Sequence, residues 1–294
     1  VLVVVTVPGR VPAVVDPELA EGEVRGAVLA PEHEGHAGTL HAFHLHLVQV
    51  YLVDVTDETR RHAELYAGTG PALVSCCMPI DCYELGPFGT NCYVIRPEAD
   101  GEDTGRCWVA DCGFDPGVMF DAIEGASLKP EALVLTHAHC DHMAGVRSFL
   151  ERFPGTPVYI HEAEAAWLGD PEKNLSLQFG FPVTAPKPDH LLSHGQMLEL
   201  CGKRWRVLHT PGHSPGGVAL VRDEPHPPVT ISGDALFNES IGRTDFPGSS
   251  MQTLATSIRE HLYALPTDTR VLSGHGPETT IGHEMLHNPF VPAS

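Results

Sequence analysis

Leu133–Val134–Leu135–Thr136–His137–Ala138–His139–Cys140–Asp141–His142 is the stretch on which the reading of this chain turns. An apolar strand runs straight into four potential metal ligands within six residues. If the strand persists, alternation puts His137 and His139 on the same side. A turn after His139 then swings Asp141 and His142 inward, an arrangement suited to two neighbouring cations. A single buried histidine is usually a hydrogen-bonded core residue. Three histidines and an aspartate at the mouth of an apolar strand would, left unligated, bury several unsatisfied polar groups.

Three later segments repeat the pattern. His209–Thr210–Pro211–Gly212–His213 follows a strand at Arg204–Leu208, and its Pro and Gly make a tight loop that can aim His213 at a site. Ile231–Ser232–Gly233–Asp234 ends a strand with a carboxylate, and Val271–Leu272–Ser273–Gly274–His275 ends another with an imidazole. Strand ends far apart in sequence converge when the strands share a sheet edge.

Strands and helices alternate around these segments. Cys82–Leu85 and Cys92–Ile95 read as strands around the turn Gly86–Gly89. Cys107–Asp111 is a strand, Gly117–Glu124 a helix, Ala132–Thr136 a buried strand, Ala144–Phe153 a helix and Val158–Ile160 a strand. Glu162–Trp167 reads as the start of a helix, and residues 170–190 as a loop rich in Pro and Lys. Strands are expected at Met197–Leu200, Val218–Val221, Val229–Ser232 and Arg270–Ser273. Ser250–Leu265 reads as a helix with Leu254, Ile258, Leu262 and Leu265 on one face. Strand runs interrupted by helices suggest sheets covered by helices.

The first 77 residues differ from the rest. They lack Met, Lys, Ile and Asn, and with 10 acidic residues and 4 arginines they carry −6 of the net charge of −20. Leu45–Val55 could be a strand and Thr59–Tyr66 a short helix, while Pro17–Gly38 has no clear period. His41, His44 and His46 are a possible metal trap, but an unstructured polar tract is the expected reading. We expect residues 1–77 to be an extension of uncertain order, with native translation starting at Met78, and residues 78–294 to be the domain that carries the ligands.

The bulk composition sets limits. Apolar residues make up 42% of 294, ordinary for a globular protein. A net charge of −20, from 38 acidic and 18 basic residues, repels phosphate, so no nucleic acid partner is expected. No apolar run reaches a membrane span, so no membrane association is expected. Val1–Val7 has no preceding basic region and is followed by Pro8, Pro12 and Pro17, unlike a secretory signal. The eight cysteines form no C-x-x-C pair and read as free thiols in a reducing cytoplasm. A small-molecule substrate is the expected partner; the sequence specifies no oligomeric state.

Thr136–His142, with His213, Asp234 and His275, resembles the metallo-β-lactamase superfamily. Gly233–Phe237, Ser240–Gly248, Gly274–Gly282 and Asn288–Phe290 narrow the resemblance to single-domain hydrolases similar to glyoxalase II (hydroxyacylglutathione hydrolase). It covers roughly Met78 to Pro289. The fold it implies is α/β (α+β), a four-layer αββα sandwich of two mixed sheets face to face with helices outside. It also implies ligand roles: His137, His139 and His213 on one cation, Asp141, His142 and His275 on the other, and Asp234 bridging both with a water or hydroxide. Asp111 matches a position that holds the ligand loop. Asp141 and Asp234 are the expected catalytic carboxylates. The cofactor would be two divalent metal ions, zinc first, with iron or manganese also suited to an all-N/O donor set. Cys140 is expected to point away from them.

The implied reaction is hydrolysis of a thioester of the S-acylglutathione type, with a metal-bridging hydroxide as nucleophile. The bridging aspartate favours the thioesterase, lactonase and phosphodiesterase branches over the β-lactamases. A mononuclear-iron persulfide dioxygenase is the alternative from another class, and a non-catalytic metal-binding protein a third. Full-length glyoxalase II has a helical C-terminal domain, whereas 19 residues follow His275 here, so its glutathione contacts are not carried over. Arg243 could meet a substrate carboxylate or pair with Asp245. The loop Asn174–Asp189 could form one rim of the pocket.

Overall fold

In the computed structural model the described residues are 79–97, 105–224 and 226–293, with three strands nearer the start of the chain. The chain divides into two compact units, Val1–Leu73 and Val74–Ser294. The first contains β1 (Leu2–Thr6), β2 (Ala13–Val15) and β3 (Gln49–Val53), an antiparallel sheet with β1 in the middle. β3 lies inside the strand expected at Leu45–Val55. The expected helix Thr59–Tyr66, the tract Pro17–Gly38 and the His41, His44, His46 cluster lie outside the described residues.

The second unit holds two six-stranded sheets. The first runs in order β4 (Ile80–Leu85), β5 (Thr90–Ile95), β6 (Arg106–Ala110), β7 (Lys129–Val134), β8 (Val158–His161) and β9 (His190–Leu192). The second contains β10 (Met197–Leu200), β11 (Lys203–His209), β12 (Val218–Arg222), β13 (Val229–Gly233), β16 (Arg270–Ser273) and β17 (Thr279–Thr280), in that order. A hairpin of β14 (Leu236–Phe237) and β15 (Ser240–Ile241) stands apart.

Side-chain alternation sorts each strand between two cores. On β5, Tyr93 and Ile95 join Trp108, Val134, Trp205, Val207, Leu220 and Ile231 between the sheets. Cys92 and Val94 point the other way, to Met119, Phe120, Ile123 and Phe149 on α1 (Gly117–Gly125) and α3 (Val146–Arg152), which follows the short α2 (Cys140–Met143). Trp108 and Trp205 meet edge to face across the sheets, centroids 4.8 Å apart. The outer face of the second sheet packs Leu208, Ala219, Val221 and Val271 on Leu254, Ile258 and Leu262 from the helix that starts as α4 (Met251–Ser257), and on Ile281 of α5 (Ile281–His287). Helices, sheet, sheet, helices is the αββα sandwich expected of the resemblance.

Two local expectations need correction. Glu162–Trp167 does not open an α-helix; it forms 3-10 turns at Glu162–Glu164 and Trp167–Gly169, because Glu164 turns inward to bind backbone N–H groups. Ser250–Leu265 is not α-helical throughout: after Ser257 it widens to a π turn, Ile258–Leu262. The helix expected at Ala144–Phe153 is present as α3, and the separate short α2 before it occupies the ligand motif itself. Among the described residues no helix is long and apolar enough to cross a membrane.

Direction is what places the site. β6, β7 and β8 are mutually parallel, β13 and β16 are parallel, and β11 is brought parallel to β13 by two antiparallel steps through β12. The residues just past the ends of β6, β7, β11, β13 and β16 are Asp111, Thr136–His142, Thr210–His213, Asp234 and Gly274–His275. All the expected ligands therefore leave strand ends at one edge of the sandwich.

Candidate metal centre

β7 ends at Val134, the chain bends at Thr136, and His139, with extended backbone (φ −67°, ψ 146°), caps α2. His137 and His139 meet in one ligand group, and the first turn of α2 carries Asp141 and His142 into another. Three overlapping groups have ligand atoms within 4.8 Å of one another: His137, His139 and His213; Asp141, His142 and His275; and His137, His142 and Asp234. The structure brings all seven expected ligands together, with Asp234 between the two triads. Cys140 is in none of these groups.

In the first triad, His139 Nδ1 lies 3.1 Å from His137 Nε2 and 2.9 Å from His213 Nε2. In the second, His275 Nε2 lies 3.2 Å and His142 Nε2 3.5 Å from Asp141 Oδ2. Asp234 reaches both: Oδ1 is 3.3 Å from His142 Nε2, and Oδ2 is 3.4 Å from His213 Nε2 and 3.5 Å from His275 Nε2.

The far side of each ring shows which nitrogen is bare. His213 Nδ1 donates to Arg243 O at 2.8 Å, His275 Nδ1 to Gly89 O at 3.2 Å, and His142 Nδ1 to Asp111 Oδ2 at 2.8 Å. A neutral imidazole that donates through Nδ1 turns a lone pair inward at Nε2. His142 Nε2 and Asp234 Oδ1 are buried without a hydrogen-bond partner. Inward lone pairs and buried orphan acceptors converging on one place fit divalent cations, and seven N and O donors fit the hard to borderline ions.

Electrostatics divides the triads. Burial, reinforced by neighbouring imidazoles, holds His137 well below the usual histidine range, and burial takes His139 down to about 3. These rings stay neutral, as ligands must. At His142 burial acts downward, but Asp234, Asp141 and Asp111 overcome it and hold the ring well above its ordinary value. Asp234 is held well below the carboxylate range, burial being outweighed by His142 and its neighbours. The field at the second triad therefore favours positive charge.

Three residues outside the donor set fix its geometry. Asp111 is buried with φ +61°, a backbone that Asp tolerates better than most residues. Besides His142, its carboxylate accepts Thr136 N and Thr136 Oγ1, each at 2.7 Å, so it holds the ligand strand and one ligand ring. Glu164, fully buried, accepts Ala138 N at 2.5 Å and Gly216 N at 2.6 Å, tying the His137–His139 loop to the His213 loop. Asn91 donates to Ser273 O and Gly276 O, bracing the His275 loop from the other sheet. Sequence reading found Asp111 but missed Glu164 and Asn91. Gly216 was the available signal for Glu164: a Cβ there would sit 2.8 Å from Glu164 Cγ.

A cavity of about 270 Å3 opens over the donors. Phe246 packs edge-on against His139 (5.4 Å) and His213 (6.0 Å), and Phe237 against His275 (5.9 Å). Arg243 lines the cavity and lies over Phe246 at 4.3 Å, with Asp245 bidentate on its guanidinium at 2.7 and 2.9 Å. The ion pair with Asp245 expected of Arg243 is therefore present, on the wall of the cavity. The expected rim loop contributes Leu175 and Phe179.

Fold and site together define a metallo-hydrolase, and the chain belongs to the metallo-β-lactamase superfamily, which its residues 85–275 match. It is 40% identical over 209 residues to the probable metallo-hydrolase YqgX of Bacillus subtilis, covering 70% of this chain and 94% of that one. It is 33% identical over 216 residues to the hydroxyacylglutathione hydrolase GloC of Haemophilus influenzae, covering 73% and 98%. Among solved structures it is similar to the BLEG-1 B3 metallo-β-lactamase (TM-score 0.67, 41% identity, 72% of this chain and 99% of that one). It is also similar to TTHA1623 in a di-iron-bound form (TM-score 0.62, 36% identity, 71% and 99%).

Proposed function

We propose that the protein holds two divalent cations and hydrolyses a thioester of the S-acylglutathione type. The observation that carries the reading is Asp234 set between two complete N/O triads at the floor of a cavity. His137, His139 and His213 would hold one cation, and Asp141, His142 and His275 the other. Bound there, the pair would supply an ionised water near neutral pH and Lewis-acid polarisation of the scissile carbonyl. Zinc, iron and manganese all suit the donors. Zinc is the first choice, and the similarity to a protein solved in a di-iron form keeps iron beside it.

The protein's own groups do the rest. Asp141 lines the cavity and is positioned to orient the attacking water. Phe246 packs over the buried His139 and His213 rings, and Phe237 packs against His275. The leaving group decides the bond. A thiolate, with a parent pKa of about 8.5, departs without a proton. An amide nitrogen needs one. Outside the donor set, the described cavity lining offers as proton-bearing groups only Arg243 and the Cys140 thiol, neither a free imidazole nor a carboxylic acid. Similarity to GloC supports the same bond.

A second reading, opening of a β-lactam ring, is favoured by the similarity to BLEG-1. The test runs S-lactoylglutathione and a chromogenic cephalosporin side by side on protein of measured metal content. Thioester cleavage lost on chelation is expected. Two metals per chain with lactam turnover and no thioester turnover would reverse the order of the readings.

A further inference from the structure

The cavity's size and wall say more about the substrate than its donors do. At about 270 Å3 it falls below the roughly 300–1,000 Å3 of pockets that enclose drug-sized ligands. Its volume suits an acyl group more closely than a whole acyl–carrier conjugate. Away from the donor set, Cys140 and Arg243 its wall is carbon: Phe88 from the β4–β5 turn, Leu175 and Phe179 from the loop after β8, Phe237 and Ile241 from the β14–β15 hairpin, and Phe246.

The outer part of this wall is a cluster. Phe88 and Phe179 stand 5.2 Å apart by ring centroid, Phe181 is 6.4 Å from Phe88, and Phe114 backs Phe181 at 5.3 Å. Phe88 is 37% and Phe179 41% exposed, so aromatic surface is left open to solvent at the mouth of the site. Scattered exposed rings need no explanation, but a contiguous apolar patch at a cavity marks a contact surface. Leu175 adds a second signal. It is buried with φ +67°, a backbone that a leucine rarely adopts. Asn174, fully buried, holds it there: its Nδ2 donates to Trp167 O and Val183 O, its Oδ1 accepts Ser176 N, and its carbonyl accepts Cys140 N. Strained backbone kept in place by such anchors clusters at ligand sites. Here it aims an aliphatic side chain at the cavity beside the ligand motif.

The charge pattern agrees. Among the described lining residues Arg243 is the one cation, and Asp245 is already bidentate on it. The remaining charges are the site carboxylates. Apart from the cations that the donor set would hold, an anionic acyl group would find no open positive partner.

We propose that the acyl group this site accepts is apolar and of aryl or branched-alkyl bulk, seated against Phe88, Leu175 and Phe179, with its carrier left outside the cavity. The inference rests on the thioester reading for the bond that is cut. Its test uses full-length, metal-loaded protein and N-acetylcysteamine thioesters of lactate and phenylacetate, which share one carrier. The phenylacetyl ester is expected to have at least about tenfold the kcat/KM of the lactoyl ester. Phe88→Ala and Phe179→Ala should each cut that preference several-fold with metal content retained. Phe181→Ala, which removes a ring outside the cavity lining, should cut it less. Calorimetric binding of phenylacetate and lactate reads the subsite without turnover. Equal or faster cleavage of the lactoyl ester overturns the subsite and leaves the thioester reading standing. If neither ester is cleaved but phenylacetate binds about tenfold tighter than lactate and loses that advantage in the Phe variants, the bond assignment falls and the subsite stands. Neither cleavage nor preferential binding overturns the subsite.

Discussion

Glu164 joins two ligand-bearing loops through one buried carboxylate, and replacing it tests how far those loops depend on it. Glu164→Gln keeps the shape and one acceptor oxygen, but turns an NH2 toward one of the two backbone N–H groups that the carboxylate now satisfies. A hydrogen bond to a charged group contributes about 1.5–3 kcal/mol, and a buried donor left unpaired costs about 1–3. Burial pushes the Glu164 carboxyl up from its ordinary range while the Ala138 and Gly216 donors pull it down, so part of the gain already offsets desolvation. The net expectation is a loss of about 2–4 kcal/mol, or roughly 5–15 °C in Tm for a unit of this size. Glu164→Ala should cost more, since it orphans both N–H groups and leaves a void. Because Ala138 sits between His137 and His139, and Gly216 follows His213, affinity should fall at the triad those three form more than at the other. Thermal unfolding of chelated and metal-loaded samples, with chelator competition for each cation, reads both effects. A Gln variant within about 0.5 kcal/mol of the parent, with both cations held as tightly, would refute the argument.

Other outcomes are expected. Asp111→Asn can keep the left-handed backbone but cannot accept from Thr136 and His142 as well, and should weaken the second cation about 10–100-fold by chelator competition. Asp234→Ala should lose one cation and most activity with the fold intact by circular dichroism; full activity with one cation would end the two-metal mechanism. Removing residues 1–77 should leave metal content and turnover unchanged, because every expected ligand lies in the second unit; loss of metal would place that segment in the site. Burial, with the stacked His209 behind it, lowers His161 to about 4, so the folded state favours the neutral ring. Its stabilising contribution is present above about pH 6.5 and is lost as pH falls from there toward 4, at up to about 1.4 kcal/mol per pH unit. In His161→Asn, which can still accept Ala163 N, unfolding free energy should fall less steeply over that range; parallel curves would contradict the assignment.

Most of the site was readable because strand ends announce themselves. Apolar runs stop abruptly at His137, Asp234 and His275, and the Pro–Gly turn before His213 has little else to do. The facing of the sheets was less readable. β5 is buried at every position, so Tyr93 and Ile95 look no different in sequence from Cys92 and Val94, although each pair packs into a different core. Glu164 was hidden because a carboxylate near alanines imitates a helix start, and the two N–H groups that need it lie 26 and 52 residues away. The β14–β15 hairpin was missed because two-residue strands leave no period to detect. The aromatic mouth was missed because Phe88 and Phe179 come from separate loops that only the tertiary fold brings together.

Each triad takes ligands from both sheets. His137 and His139 follow a strand of the first sheet and His213 one of the second; Asp141 and His142 follow the first and His275 the second. A bound cation is therefore a clasp between two halves of the unit, closed only when both are in place. Ions that bind the folded chain and not the unfolded one add about 2.7 kcal/mol at a hundredfold excess over Kd. The abundance of the intact protein would then follow the supply of free metal, with scarcity drawing the chain toward unfolding and proteolysis before any substrate is involved.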